Sequence, residues 1–249
     1  MTLRFDDHFS PLAPTYAKHR PRYPEELFEA LAAAAPGHQR AWDAGTGSGQ
    51  AAGRLAKYFA EVVGTDGSED QLKNAQPLPN VHYRVGVAEK SDLPDGSVDL
   101  VTAAQAAHWF RLDEFYAEVR RVLKPDGVLA LWCYGLESID HDVNHVINKL
   151  YVELLGPLWP KRTIIDHTYQ DIDFPFAELP RRVFQMEMEW TLGQLVSGFR
   201  TWSAALLYKK QHGVDPLDVL ADEFRAAWGD PEQPRRVTWP VYLRYGRPA

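Results

Sequence analysis

Between residues 39 and 134, short apolar runs alternate with stretches whose apolar residues recur at helical spacing. Runs at 39–44, 61–66, 81–87, 97–103 and 128–134 read as strands. Ala52, Leu55 and Phe59 share one helix face, 69–75 reads as a short helix, and Phe115, Val119 and Val122 mark a helix over about 112–123. Strand and helix in alternation predict a parallel sheet with helices on both faces. The fifth run, VLALWCY, is apolar throughout, as a strand buried on both faces requires. KPDG (124–127) reads as the turn before it.

The first strand runs into AWDAGTGSGQ (41–50), where Gly45, Gly47 and Gly49 alternate after Asp43. Glycine loses the most conformational freedom on folding, so such a cluster needs a reason. Between a strand and an amphipathic helix, the reason is a backbone that approaches a ligand while the helix N-terminus supplies donors. A tight turn with no ligand is the alternative. Asp66 favours the ligand: it ends the second strand, 21 residues past Gly45, where a carboxylate accepts from both hydroxyls of a ribose. A nicotinamide site would read Gly-x-Gly-x-x-Gly, but Gln50 stands at its last position.

Upstream, Pro24, Glu25 and Glu26 open a helix that Pro36-Gly37 ends. Downstream, Val143, Ile147, Leu150 and Leu154 recur at helical spacing. Residues 156–176 are aromatic and broken by proline, and read as an insertion over a ligand face rather than as core. Residues 181–190 alternate as a strand, 191–210 are helical, Asp215-Pro216 caps a helix that stops at Gly229, and 237–246 is a last strand. Pro240 lies inside that strand, so the strand is expected to begin after it or to carry a bulge.

The formal charge of −7 disfavours a polyanionic partner, and no basic stripe accompanies the short Arg pairs at 181–182 and 235–236. Cys133 is the only cysteine, which suits a reducing cytoplasm. The N-terminal residues do not read as a signal peptide, and no apolar run approaches the roughly 20 residues that span a bilayer. His141 and His145 are spaced as zinc-protease ligands, but Asp142 replaces the glutamate and no third ligand is evident, so no metal is expected.

DAGTGSG, the strand-end Asp66, VAEKSDLPDGSVDLVTA, QAAHWF and EVRRVLKPDGVLALWCYG together resemble the class I S-adenosylmethionine-dependent methyltransferases, nearest the branch of trans-aconitate methyltransferases. The likeness runs from TYAKHRPRYPEELFEAL to about residue 135 and resumes in TWSAALLY and VTWPVYL. It implies a Rossmann-like α/β fold: seven strands, mostly parallel, the last antiparallel. It also implies a single domain over 1–249, with an N-terminal lid and helix (1–37), a cofactor core (38–135), a cap-like insertion (136–180) and C-terminal strands and helices (181–249). The cofactor would be S-adenosyl-L-methionine. Asp43, Gly45, Thr46 and Gly47 would hold its methionine end, Asp66 and Gly67 its ribose, and Ala88 and Glu89 its adenine. Gly67 stands where a bulky apolar residue often packs on the adenine, and Leu72 is the candidate to fill that place.

The sulfonium already carries an activated methyl group, so the protein's part is positioning and a dry pocket. Gln105, His108 and Trp109 follow the fourth strand, at the carboxyl edge where open α/β sheets bind ligands, and would face the transferred methyl group, with Gln105 also contacting the cofactor. His108 would act as a general base towards a hydroxyl or amine, or orient a carboxylate together with Gln105. The alternative makes Trp109 and Phe110 core and His108 a cap. Tyr16 and Arg20 would form a lid beside the sulfonium and a carboxylate, or else a surface-packed arm. Trp159, Trp190 and Trp202 are candidates to line an apolar acceptor pocket, or core. The expected reaction is O-methylation of a small carboxylate or hydroxyl. C- or N-methylation and a non-catalytic cofactor-binding module are the alternatives, the last favoured if 156–176 blocks the pocket. The Asn/Asp-Pro-Pro-aromatic signature of nucleobase amino methylation is absent, which also argues against nucleic acid.

Overall fold

The computed structural model describes residues 22–159 and 162–248. Its first helix, α1 (Glu25–Ala34), starts behind Pro24 and buries Leu27, Phe28 and Leu31. Four parallel strands follow: β1 (Arg40–Ala44), β2 (Glu61–Asp66), β3 (Val81–Val85) and β4 (Val98–Ala104). Helices α2 (Gln50–Leu55), α3 (Glu69–Leu72) and α4 (Leu112–Val122) alternate with them. β5 (Leu123–Tyr134) pairs parallel with β4. The chain returns as β6 (Ala177–Glu178), β7 (Arg182–Trp190) and β8 (Arg235–Arg247), with β8 antiparallel to β5. The order is β3-β2-β1-β4-β5-β8-β6, and β7 also pairs with β8. The mostly parallel α/β sheet is therefore as expected, with one two-residue strand more.

β5 shows why an unbroken apolar run makes a central strand. Side chains alternate across a sheet. Val128, Ala130 and Trp132 enter the core under α1, while Leu129, Leu131 and Cys133 enter the core under α4.

Three local expectations need correction. KPDG is not a free turn: β5 already pairs with β4 at Leu123, and the register shifts before it resumes at Val128. β8 neither starts after Pro240 nor bulges there, since Gln185 faces Pro240 in an unbroken register. The Pro240 carbonyl accepts from Gly135 N (3.0 Å), so its nitrogen also points beyond the end of β5 and no ladder bond to β7 is lost. Finally, 156–176 is partly core: Tyr169, Ile172, Phe174 and Phe176 are buried against Tyr116 and Phe115.

The C-terminal half covers the other face. α5 (His141–Asn148) continues as a π-type turn over Lys149–Leu154, and α6 (Arg162–Asp166) follows. The helical stretch 191–210 divides into α7 (Leu192–Phe199) and α8 (Ser203–His212). The helix begun at Pro216 divides into α9 (Pro216–Val219) and α10 (Ala221–Trp228). Among the described residues, no helix is long and apolar enough to cross a membrane.

Candidate active site

The three loop glycines all adopt left-handed φ, at 67°, 55° and 78° for Gly45, Gly47 and Gly49. The reasons differ. A Cβ on Gly45 would lie 2.7 Å from the Ala106 Cβ, and one on Gly49 would strike the Tyr83 hydroxyl. A Cβ on Gly47 would meet nothing nearer than Gln71 Oε1, at 4.0 Å. Gly45 and Gly49 thus pack the loop against its own protein, and Gly47 leaves a cradle open.

Asp43 lies beneath this loop and is fully buried. Its two oxygens accept from Thr46 Oγ1 (2.6 Å) and Thr102 Oγ1 (2.7 Å). Burial pushes its carboxyl up to about 6, against the pull of those hydroxyls. Asp43 and the Thr46 side chain therefore brace the loop from within instead of facing its open side. Asp66 holds the loop from β2: Oδ2 accepts from Gly47 N and Oδ1 from Ser68 N, both at 2.8 Å. Ala88 is buried, and Glu89 Oε1 accepts from Arg111 N at the start of α4 (2.8 Å). Gly67 and Leu72 are half-buried. Tyr16 and Arg20 lie outside the described residues.

The connection from β4 to α4 joins this loop to a second site. Ala106 and Phe110 pack on Gly45, while Gln105, His108 and Trp109 line a cavity of about 560 Å³. Trp159, Trp190 and Trp202 line the same cavity, with Tyr151, Phe199 and Trp239. The described residues of 156–176 contribute Trp159, Ile165, Asp166 and Thr168 to its wall without filling it.

The backbone is strained here. Gln105, Thr168 and Tyr169 are the non-glycine residues with left-handed φ among those described, at 53°, 53° and 61°. Such conformations cost of order 1–3 kcal/mol and cluster at functional sites. The Gln105 turn is pinned at both ends: its N–H donates to Trp132 O (2.8 Å), and its Oε1 accepts from Tyr134 N (3.1 Å). Tyr169 places its hydroxyl 2.9 Å from His108 Nδ1. Burial holds that phenol well above its ordinary value, although the backbone N–H groups of Ala107 and His108 point at its oxygen. This contact holds the His108 ring in the cavity wall.

Sequence reading missed Tyr169, Gln71 and Glu137. Glu137 also lines the cavity and is buried, and Trp239 Nε1 donates to it (3.1 Å). Only the strand-end position of Tyr134, three residues before it, signalled that Glu137 would stand at the ligand edge. His141 and His145 are exposed.

A methyltransferase-domain family model matches residues 42–131. A Dictyostelium discoideum protein named as a methyltransferase is 37% identical over 248 residues, covering 96% of this chain and 94% of that one. The solved structure of a type II methyltransferase from Anaeromyxobacter dehalogenans matches with a TM-score of 0.86 at 44% identity, over 92% of this chain and 99% of that one. Phosphoethanolamine N-methyltransferase 2 of Haemonchus contortus, solved with S-adenosyl-L-methionine, shares the fold at a TM-score of 0.50 and 18% identity, over 96% of this chain and 57% of that one. The sheet, the glycine loop and these relatives place the chain in the class I S-adenosylmethionine-dependent methyltransferases. It is an enzyme of that family, and S-adenosyl-L-methionine is its cofactor.

Proposed function

We propose that this enzyme methylates a small organic acceptor seated in the aromatic cavity beside His108. One observation carries the reading: the single connection Gln105–Phe110 packs on Gly45 with one face and lines the cavity with the other. A donor held on the loop and an acceptor in the cavity would meet across it.

In this reading the cradle over Gly47 takes the cofactor's methionine end, Asp66 accepts from the ribose hydroxyls, and Ala88 and Glu89 border the adenine. Asp43 and Thr46 are positioning residues. Bound S-adenosyl-L-methionine supplies an electrophilic methyl group, and the chain's work is to orient the acceptor and exclude water. His108 stands in the wall to orient the acceptor, or to take the proton that a hydroxyl or amine releases on methylation. Gln105 and Trp109 shape the wall beside it. A hydroxyl or an amine suits this cavity better than the carboxylate implied by the trans-aconitate-like branch, because a carboxylate would add a third acidic group beside Glu137 and Asp166. The open cavity favours catalysis over a non-catalytic cofactor-binding module. A cytoplasmic location belongs to the same proposal, supported by the lone Cys133. Incubation with methyl-labelled S-adenosyl-L-methionine and a panel of small acids, alcohols and amines tests it. Label transferred to a panel member, and lost in Trp109→Ala, is expected. Transfer that survives narrowing of the cavity by Ser203→Trp would contradict the assignment.

A further inference from the structure

A buried carboxylate without a cation is an expensive thing to keep, because desolvation penalises its charge. Glu137 is 9% exposed, and it stands in a cavity wall rather than inside the packed core. Its donors are both neutral: Trp239 Nε1 at 3.1 Å and its own backbone N–H. Every other strongly buried acidic side chain tied to an element nearby has a basic or hydroxyl partner. Glu118 has Arg121 and Ser91, Asp99 has Lys124, and Asp43 has two threonines. Among the described residues that line the cavity there is no lysine or arginine.

The remaining walls have a matching character. Tyr151, Trp159 and Trp202 enclose one another, with centroids 5.1, 5.8 and 5.3 Å apart, and Phe199 packs on Trp202 at 4.6 Å. Aromatic faces carry a negative quadrupole and attract cations most strongly where water is excluded. A volume of about 560 Å³ fits a small ring-bearing molecule.

We infer that the cavity selects an acceptor carrying a basic nitrogen on an aromatic-sized apolar body, with the Glu137 carboxylate as the counter-charge that recognises it. This rests on the proposed function of the same cavity. A neutral or acidic molecule of equal shape would leave the carboxylate unpaired, and that is how the pocket discriminates. Burial pushes the Glu137 carboxyl up to about 7 in the ligand-free protein.

The test uses three probes of similar shape, 2-phenylethylamine, 2-phenylethanol and 3-phenylpropionate. Each is titrated into the full chain saturated with S-adenosylhomocysteine, and binding is read by tryptophan fluorescence and calorimetry. The amine should bind at least about tenfold more tightly than the alcohol, with the acid weakest. Glu137→Gln should bring amine and alcohol together while leaving S-adenosylhomocysteine affinity unchanged. An acid or alcohol that binds as tightly as the amine overturns the inference, as does an amine that fails to bind at millimolar concentration. The wild-type ranking stands as a test even if the variant does not fold. Failure of S-adenosylhomocysteine itself to bind would instead strike the underlying methyltransferase reading.

Discussion

Asp43 and Glu137 are both buried carboxylates whose affinity for protons is raised by desolvation, yet their surroundings give them different work. Asp43 spends its oxygens on Thr46 and Thr102 and so shapes the loop. Glu137 accepts from Trp239 and lines a cavity. Their titration has a definite sign. Glu137 rises from an ordinary 4.5 to about 7, so across that interval the folded protein holds a proton that the unfolded chain has released. The resulting stability is complete below about pH 4.5 and is lost as pH climbs through about 7, on the order of 3 kcal/mol at most. Ligand-free Glu137→Gln should therefore show a flatter fall of melting temperature between pH 4.5 and 7 than the wild type; parallel curves would contradict the burial argument. The loop glycines give a second contrast. Gly45→Ala meets Ala106 as well as an unfavourable φ and should cost about 2 kcal/mol or more in stability. Gly47→Ala meets open space, so it should cost less stability but weaken S-adenosylhomocysteine binding, because its methyl group occupies the cradle. Equal effects on both readouts would remove the distinction. Asp66 and the glycines were legible because their roles are local and spaced along one βαβ unit. Glu137 was not, because its partner Trp239 comes from a strand 102 residues away.

At the scale of elements, the β4–α4 connection is the hinge between cofactor loop and cavity, and segment 167–178 supports it from outside. Arg244 on β8 donates to the Tyr169 carbonyl (2.9 Å) and pairs with Glu178 (2.9 Å), while the Tyr169 hydroxyl reaches His108. Tyr169→Phe preserves the ring and removes one hydrogen bond. It should lower the melting temperature by only a few degrees. Turnover should fall roughly tenfold, as when a supporting partner is lost, with S-adenosylhomocysteine affinity unchanged. Unchanged turnover would show that His108 does not depend on Tyr169 to hold its ring. The strands of the first half were readable because full burial demands continuous apolar runs. The breaks between α7 and α8 and between α9 and α10 were not, since no proline or glycine falls between the paired helices. Pro240 misled because the rule against proline in a strand concerns the lost N–H, and here that direction faces past the end of β5.

For the whole molecule, a mostly parallel sheet carries the glycine loop at its carboxyl edge, and the C-terminal helices complete the aromatic cavity beside it. The cofactor half follows a pattern that many sequences share, and the acceptor half is assembled from aromatic residues contributed by distant segments. The central claim is that the loop at Gly45–Gly49, closed by Asp66, holds S-adenosyl-L-methionine. Calorimetric titration with S-adenosylhomocysteine and, separately, NADH tests it most directly, with Asp66→Ala alongside. Binding of the first at about micromolar affinity is expected, with none of the second and at least a tenfold loss in the variant while its melting temperature shows it folded. Binding of NADH, or undiminished S-adenosylhomocysteine affinity in folded Asp66→Ala, would contradict it.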